Sequence, residues 1–239
     1  MSMTTDDLRS PTTGESVNVV QRRNRLGVWL CIISDVTGSV ALLIAYAYLW
    51  SLNVNDAWAP PNDAFADPSL FWIVAAGGAL TAVMLWLVYW MIAHGSRGGS
   101  LAVAALTMLV VLATFVLQIV QLSTFPFGLS DGSYASATFW LCIGAAYHLA
   151  LVLFLAMGVL GRTRAGLVTQ GNPYHARLVA MYATWAAIAI FLGALFATTM
   201  TVSPNSSSPP FGEFTQPAPS SSSAPASSSA PSPASSPGS

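Results

Sequence analysis

Five long apolar segments joined by short polar loops constrain this chain more than any other feature. They run from Leu26 to Trp50, Leu70 to Ala93, Leu101 to Leu122, Tyr134 to Leu160 and Leu178 to Val202. Each reaches the ~20 residues needed to cross a ~30 Å hydrocarbon layer. None has the alternation of a barrel strand, and only helices otherwise close the backbone hydrogen bonds of such segments in lipid. The expected architecture is all-α: a polytopic membrane protein built as a bundle of five transmembrane helices.

Arginine placement predicts the orientation, because positively charged short loops stay on the cytoplasmic side during insertion. The eight basic residues are all arginine. Arg9, Arg22, Arg23 and Arg25 precede the first segment, Arg97 lies between the second and third, and Arg162, Arg164 and Arg177 lie between the fourth and fifth. The two opposite loops carry acids instead, Asp56, Asp63 and Asp67 in one and Asp131 in the other. The N-terminus is therefore expected inside, and an odd number of crossings puts the C-terminus outside.

Composition divides the chain into three parts. Charged residues are 7% and hydrophobic ones 54%, against roughly a quarter charged in a soluble domain. The net charge of -1 leaves no basic footprint for nucleic acid. Residues 1–24 are polar without apolar periodicity and read as a mobile cytoplasmic arm. Residues 25–202 form the transmembrane domain. Residues 203–239 are rich in Ser, Pro and Ala with one charge, Glu213, and cannot bury enough apolar surface to offset ordering entropy. That stretch reads as a disordered extracytoplasmic tail, with Phe211 and Phe214 able to dock on a neighbour. The first segment is too long for a cleaved signal peptide and is expected to remain as an anchor.

Inside the membrane, ionisable residues carry an insertion cost and normally need a partner. There are two, Asp35 and His148. Asp35 lies nine residues into the first segment, ~14 Å along a helix, and His148 is similarly central in the fourth, so the two can meet at one depth. Cys31, Ser34, Gly38 and Ser39 surround Asp35 with a small, polar stripe of the kind that faces other helices. Two roles fit the pair: a proton relay, or an interhelical hydrogen bond that fixes packing. Cys31 and Cys142 fall inside segments and read as small apolar residues, not a disulfide or metal site. His94 and His175 near the cytoplasmic ends could in principle hold a haem, but they read better as interface residues. Aromatics near the segment ends, Trp29, Trp50, Trp58, Phe71, Trp72, Tyr89 and Trp90, read as an interfacial belt. No nucleophile triad, phosphate loop or metal motif is present in the sequence.

The first segment, LGVWLCIISDVTGSVALLIAYAYLW, carries Gly27, Trp29, Ser34, Asp35, Ala45 and Tyr46 in that order. It resembles the opening helix of the short, five-helix bacterial subunits III of haem-copper (cytochrome c) oxidases, which show Gly-x-Trp, a Ser-Glu pair and an aliphatic run ending in Ala-Tyr. Asp35 stands where that family has a glutamate. Gly132, Ser133, Tyr134, Phe139, Gly144 and His148 resemble the family's next-to-last helix, with one histidine in place of two. His175, Arg177, Tyr182 and Trp185 resemble the approach to its last helix, but Ala186, Ala187 and Ala189 replace the family's polar and aromatic signature.

This resemblance, to a divergent member of the family, covers residues 25–202. It implies a subunit of the bacterial cytoplasmic membrane that has no redox centre of its own and holds structural lipid. The same resemblance implies that the subunit packs against the catalytic subunit of a respiratory oxidase or supercomplex, where haem and copper reside. Catalysis by the chain alone is not expected. Two other readings stay open from the residues: an oxidase assembly factor, and a small transporter or proton channel lined by Asp35, His148, Gln118 and Gln121. Gly77, Gly78 and the alanine face from Ala183 to Ala194 would allow close helix approach, within the bundle or against a partner.

Overall fold

The computed structural model describes residues 14–53 and 56–204. Five helices account for nearly all of them: α1 (Val17–Leu52), α2 (Pro68–Ala93), α3 (Arg97–Ser123), α4 (Ser133–Arg164) and α5 (Tyr174–Thr199), with one 3-10 turn at Pro61–Asp63. All five are long and apolar enough to cross a membrane. The chain is an all-α five-helix bundle of the multi-pass membrane type.

α2, α3, α4 and α5 form a closed ring in which α2 packs on both α3 and α5, α3 on α4, and α4 on α5. α1 lies outside the ring, across the seam of α4 and α5. Its attachment is narrow: among its described side chains only Ile32 and Tyr46 are buried. Half-buried Val28, Val36, Leu42, Leu43 and Leu49 extend the same face, at the three-to-four residue spacing of a helix stripe.

Close approach in the ring rests on small residues, because apolar lipid provides no hydrophobic drive for helices to associate. A Cβ at Gly77 of α2 would overlap the Thr114 side chain of α3. Beside it, Ala82 of α2 and Ala183, Ala186, Ala194 and Ala197 of α5 are buried. The small residues therefore serve packing within the chain.

The α1–α2 and α3–α4 loops are tied to each other and to the helix ends by backbone bonds. Ser133 and Tyr134 donate their N–H groups to the carbonyls of Ala57 (2.9 Å) and Trp58 (3.0 Å), which satisfies donors that the start of α4 leaves free. Gly132 makes this possible at φ 108°, with Ala59 and Ala57 carbonyls only 3.1 and 3.2 Å from where a Cβ would stand. Asp67 caps α2 by accepting from the Ser69 N–H at 2.8 Å, with Pro68 in the first turn.

Several element limits differ from the sequence reading. α1 begins at Val17, so residues 17–24 are helical and not part of a free arm. A helix once nucleated extends through polar residues at little cost. This extension is also tethered: Gln21 Nε2 donates to Asn172 Oδ1 (3.4 Å), and Asn24 Nδ2 to the Tyr174 hydroxyl (3.3 Å). α5 ends at Thr199, short of Val202. Residues 1–13 of the expected arm and 205–239 of the expected tail lie outside the described residues.

Two of the expected belt aromatics are interior. Trp58 is 1% exposed and Phe71 5%, whereas Trp29, Trp72 and Trp90 are on the surface. Trp58 meets Tyr46 and Tyr134 edge-to-face at 5.3 and 5.7 Å, and its Nε1 donates to the Thr201 carbonyl (3.0 Å). A loop folded back over the ring can bury an aromatic that its position in the sequence places at the interface.

Candidate functional site

The site is a hydrogen-bonded hub where α1 meets the ring. Asp35 and His148 come together: Asp35 Oδ2 lies 2.8 Å from His148 Nε2. The same oxygen accepts from Trp185 Nε1 at 2.8 Å and from the Tyr182 hydroxyl at 3.5 Å. Three helices thus converge on one carboxylate oxygen. Tyr182 and Trp185, three residues apart, project from the same face of α5. The His148 side chain is 6% exposed and that of Asp35 21%.

The geometry dictates the proton count. His148 Nδ1 is 2.7 Å from the Gly144 carbonyl, which can only accept, so Nδ1 carries a hydrogen. Nε2 then faces Asp35 Oδ2 across a distance that requires one proton between them. That proton sits either on Nε2, giving an imidazolium-carboxylate pair, or on Oδ2, giving a carboxylic acid that donates to a neutral ring. Both forms are net neutral, which is the form an intramembrane pair tolerates best. Removing the proton would set two lone pairs against each other. The hub therefore holds one shared proton, and the Trp185 and Tyr182 donors complete the bonds to Oδ2.

The other candidate residues serve different places. Tyr46 is buried in the C-terminal half of α1, with its hydroxyl 3.5 Å from Thr138 Oγ1. Gly144 contributes its carbonyl to the hub. Ser34 and Trp29 are exposed, as are Cys31 and Gly38. Of the small stripe around Asp35, Cys31, Ser34 and Gly38 thus face out of the bundle, while Ser39 is half-buried. The reason is rotation: Ile32, Ser39 and Tyr46 share the ring-facing side with Asp35, and the other three fall beside it. Cys31 and Cys142 are free thiols, the first exposed and the second buried. His94 Nδ1 is 2.8 Å from the Trp90 carbonyl, and its ring lies 4.3 Å from that of Trp90. Among the described residues no group of three or more His, Cys, Asp or Glu side chains is placed to hold a metal ion.

From the hub a groove of about 610 Å³ runs between α1, α4 and α5 to the arginine-bearing end. Val28, Leu151, Leu155 and Leu178 line its floor, and Arg23, Arg162 and His175 its mouth, with Gly27 leaving the α1 wall bare and Tyr182 reaching it from the hub. On the other side of the α1–α5 contact, Arg22, Arg25 and Arg177 line a second recess of about 380 Å³. Arg97 Nη2, from the α2–α3 turn, donates to the Arg164 carbonyl (3.1 Å). The described arginines, from three separate chain segments, thus gather at one end of the bundle.

Two features escaped the sequence reading. Trp185 and Tyr182 resembled family positions, but nothing in the sequence said that their polar tips reach Asp35; the only signal was their spacing on one face of an apolar helix. The buried face of α3 is mostly polar, with Ser100, Thr107, Thr114, Gln118 and Gln121 at helical spacing and Ala104 and Val111 between them. The hydroxyls of the first three donate to their own helix carbonyls at 2.9, 2.7 and 2.8 Å, so that face is a packed seam in which only the two glutamine amides leave atoms unpartnered. The sequence matches no protein-family model and no curated protein.

Proposed function

We propose that the chain is a non-catalytic, integral membrane subunit of an aerobic respiratory oxidase or supercomplex, of the subunit III kind, in a bacterial cytoplasmic membrane. One observation carries this reading. Asp35, His148 and Trp185 were picked out by likeness in three different helices, and they meet at a single carboxylate oxygen. The need of an intramembrane acid for a partner accounts for His148, and the arrival of Trp185 at the same oxygen is what the likeness adds. The haem and copper of such a complex belong to its other subunits, and the role of this chain is to pack against them.

The hub suits a packing role with a proton in reserve. It holds α1, which has little other buried surface, onto α4 and α5. The groove suits a structural lipid, because an apolar floor with arginines at its mouth complements acyl chains beneath an anionic headgroup. The gathered arginines support a cytoplasmic placement of that end, which puts the N-terminus inside and the chain beyond α5 outside.

The test is purification of the tagged protein in mild detergent from its native membrane, with a reduced-minus-oxidised visible spectrum and identification of the co-purifying polypeptides. Haem absorbance arriving with oxidase subunits in stoichiometric amount is the expected result. Substoichiometric, growth-phase-dependent association would instead favour an assembly factor. A colourless protein running alone would overturn the oxidase reading and favour a transporter.

A further inference from the structure

A second charged site lies at the arginine-bearing end, away from the hub. α1 continues beyond its apolar segment, from Leu26 back to Val17, and the bonds from Gln21 to Asn172 and from Asn24 to Tyr174 fix this extension beside the start of α5. Asn18, Arg22 and Arg25 fall on one face of α1, and Tyr174, Arg177 and Met181 on one face of α5, at helical spacing. The two faces line a recess of about 380 Å³. Three guanidinium groups therefore share one recess, and like charges brought together repel unless an opposite charge joins them. Among the described residues none of the three has a carboxylate partner, and the ion pair at this end, Arg23 with Glu15 at 2.9 Å, belongs to a different arginine. Arg22, Arg25 and Arg177 are exposed, so an anion can reach them from outside the bundle.

We propose that this recess is a binding site for a phosphate group carrying more than one negative charge. Arginine suits such a group, because the guanidinium fork matches phosphate oxygens two at a time. Guanidinium groups arriving from two helices can also hold different oxygens of one tetrahedral centre. The recess lies where the chain passes from polar to apolar: Arg25 directly precedes Leu26, the first residue of the apolar segment of α1, and Met181 stands in the apolar part of α5. That is the depth of lipid phosphates, and basic pockets between membrane helices take anionic headgroups. A free phosphate compound offers the same chemistry from the aqueous side. The site gives a reason for the polar extension of α1, none of whose described side chains before Leu26 is buried although two long-range bonds hold it in place. The proposal is separate from the groove, whose floor is apolar, and independent of any role in a respiratory complex.

The experiment is native mass spectrometry of the full-length protein, released from a neutral detergent after titration with phosphatidic acid or with phosphatidylcholine of the same acyl chains. A parallel arm measures Tm in inorganic phosphate against chloride at equal ionic strength, since a ligand that binds only the folded state raises Tm. The wild type is expected to hold phosphatidic acid in preference to phosphatidylcholine, and Arg22→Gln/Arg25→Gln/Arg177→Gln to hold one molecule fewer. The same loss is expected on an Arg23→Gln/Arg162→Gln background, which separates this recess from the groove. A rise in Tm with phosphate that the triple variant loses, without any lipid preference, would support the site and assign it to a soluble phosphate compound. Equal binding of the two lipids with no effect of phosphate on Tm would overturn it. So would a triple variant indistinguishable from the wild type in both arms. Should the triple variant fail to fold, Arg177→Gln decides, because it removes the charge that α5 supplies: a weaker response in either arm supports the site, and an unchanged response in both refutes it.

Discussion

Asp35 is tolerable in the membrane because three donors reach one of its oxygens and one of those donors shares a proton with it. Asp35→Asn places either an amide oxygen or an NH2 where Oδ2 stands, keeping the bond to Trp185 or the one to His148 but not both, so insertion and assembly should persist at a cost of about 1–3 kcal/mol in detergent. Asp35→Ala strands His148 and Trp185 and should cost about 3–5 kcal/mol. If the chain belongs to a proton-pumping oxidase, as proposed, normal assembly of Asp35→Asn with loss of pumping would make the hub a relay and not only a clasp. The presence and depth of Asp35 and His148 were legible in the sequence, since apolar surroundings make an ionisable residue conspicuous. The two α5 donors were not, because which way an indole N–H points depends on the rotation of α5 about its axis, and a uniformly apolar helix carries almost no record of that rotation.

Among the elements, α2 shows both how a helix starts and how it packs. The Ser69 N–H bound to Asp67 holds that carboxyl below the usual carboxylate range. A carboxyl lowered in the folded state stabilises α2 at pH above its unfolded value near ~4, and the contribution fades as pH falls through its lowered folded value. The protection factor of the first turn of α2, taken relative to the intrinsic exchange rate at each pH, should therefore fall as pH is taken from about 5 to about 2. Asp67→Asn, which still accepts the bond, should flatten that dependence. At the packing face, Gly77→Val should force α2 and α3 apart where Gly77 meets Thr114, at about 1–3 kcal/mol for an overfilled contact, read as a lower Tm in detergent. Five segments were readable from hydropathy alone. The start of α1 at Val17 was not, because lipid sets where a chain must be apolar, while a helix may continue into water for as long as tethers such as Asn24 to Tyr174 hold it.

At the scale of the whole molecule, the chain leaving α5 is strapped to the end of α1. Trp50 Nε1 donates to the Val202 carbonyl (2.7 Å), Ser203 Oγ donates to the Trp50 carbonyl (2.7 Å), and Trp58 Nε1 reaches Thr201. Deleting Asn205 to Ser239 should leave the bundle folded, with unchanged Tm and tryptophan emission. Truncation after Thr199 removes all three bonds and should shift tryptophan emission by freeing Trp50 and Trp58. Replacing both Arg23 and Arg162 by Gln should reduce the anionic phospholipid that co-purifies, as measured by mass spectrometry, without unfolding the bundle. The number of helices, their approximate spans and the separation of arginines from acids between alternate loops were set by the sequence itself, because the cost of burying charge and open backbone in lipid acts residue by residue. The ring of α2 to α5, the peripheral position of α1, the interior place of Trp58 and the convergence on Asp35 were decided only by tertiary structure. Those features depend on which faces of similar apolar helices touch, and helices that are apolar all round differ there only by a few small and polar side chains.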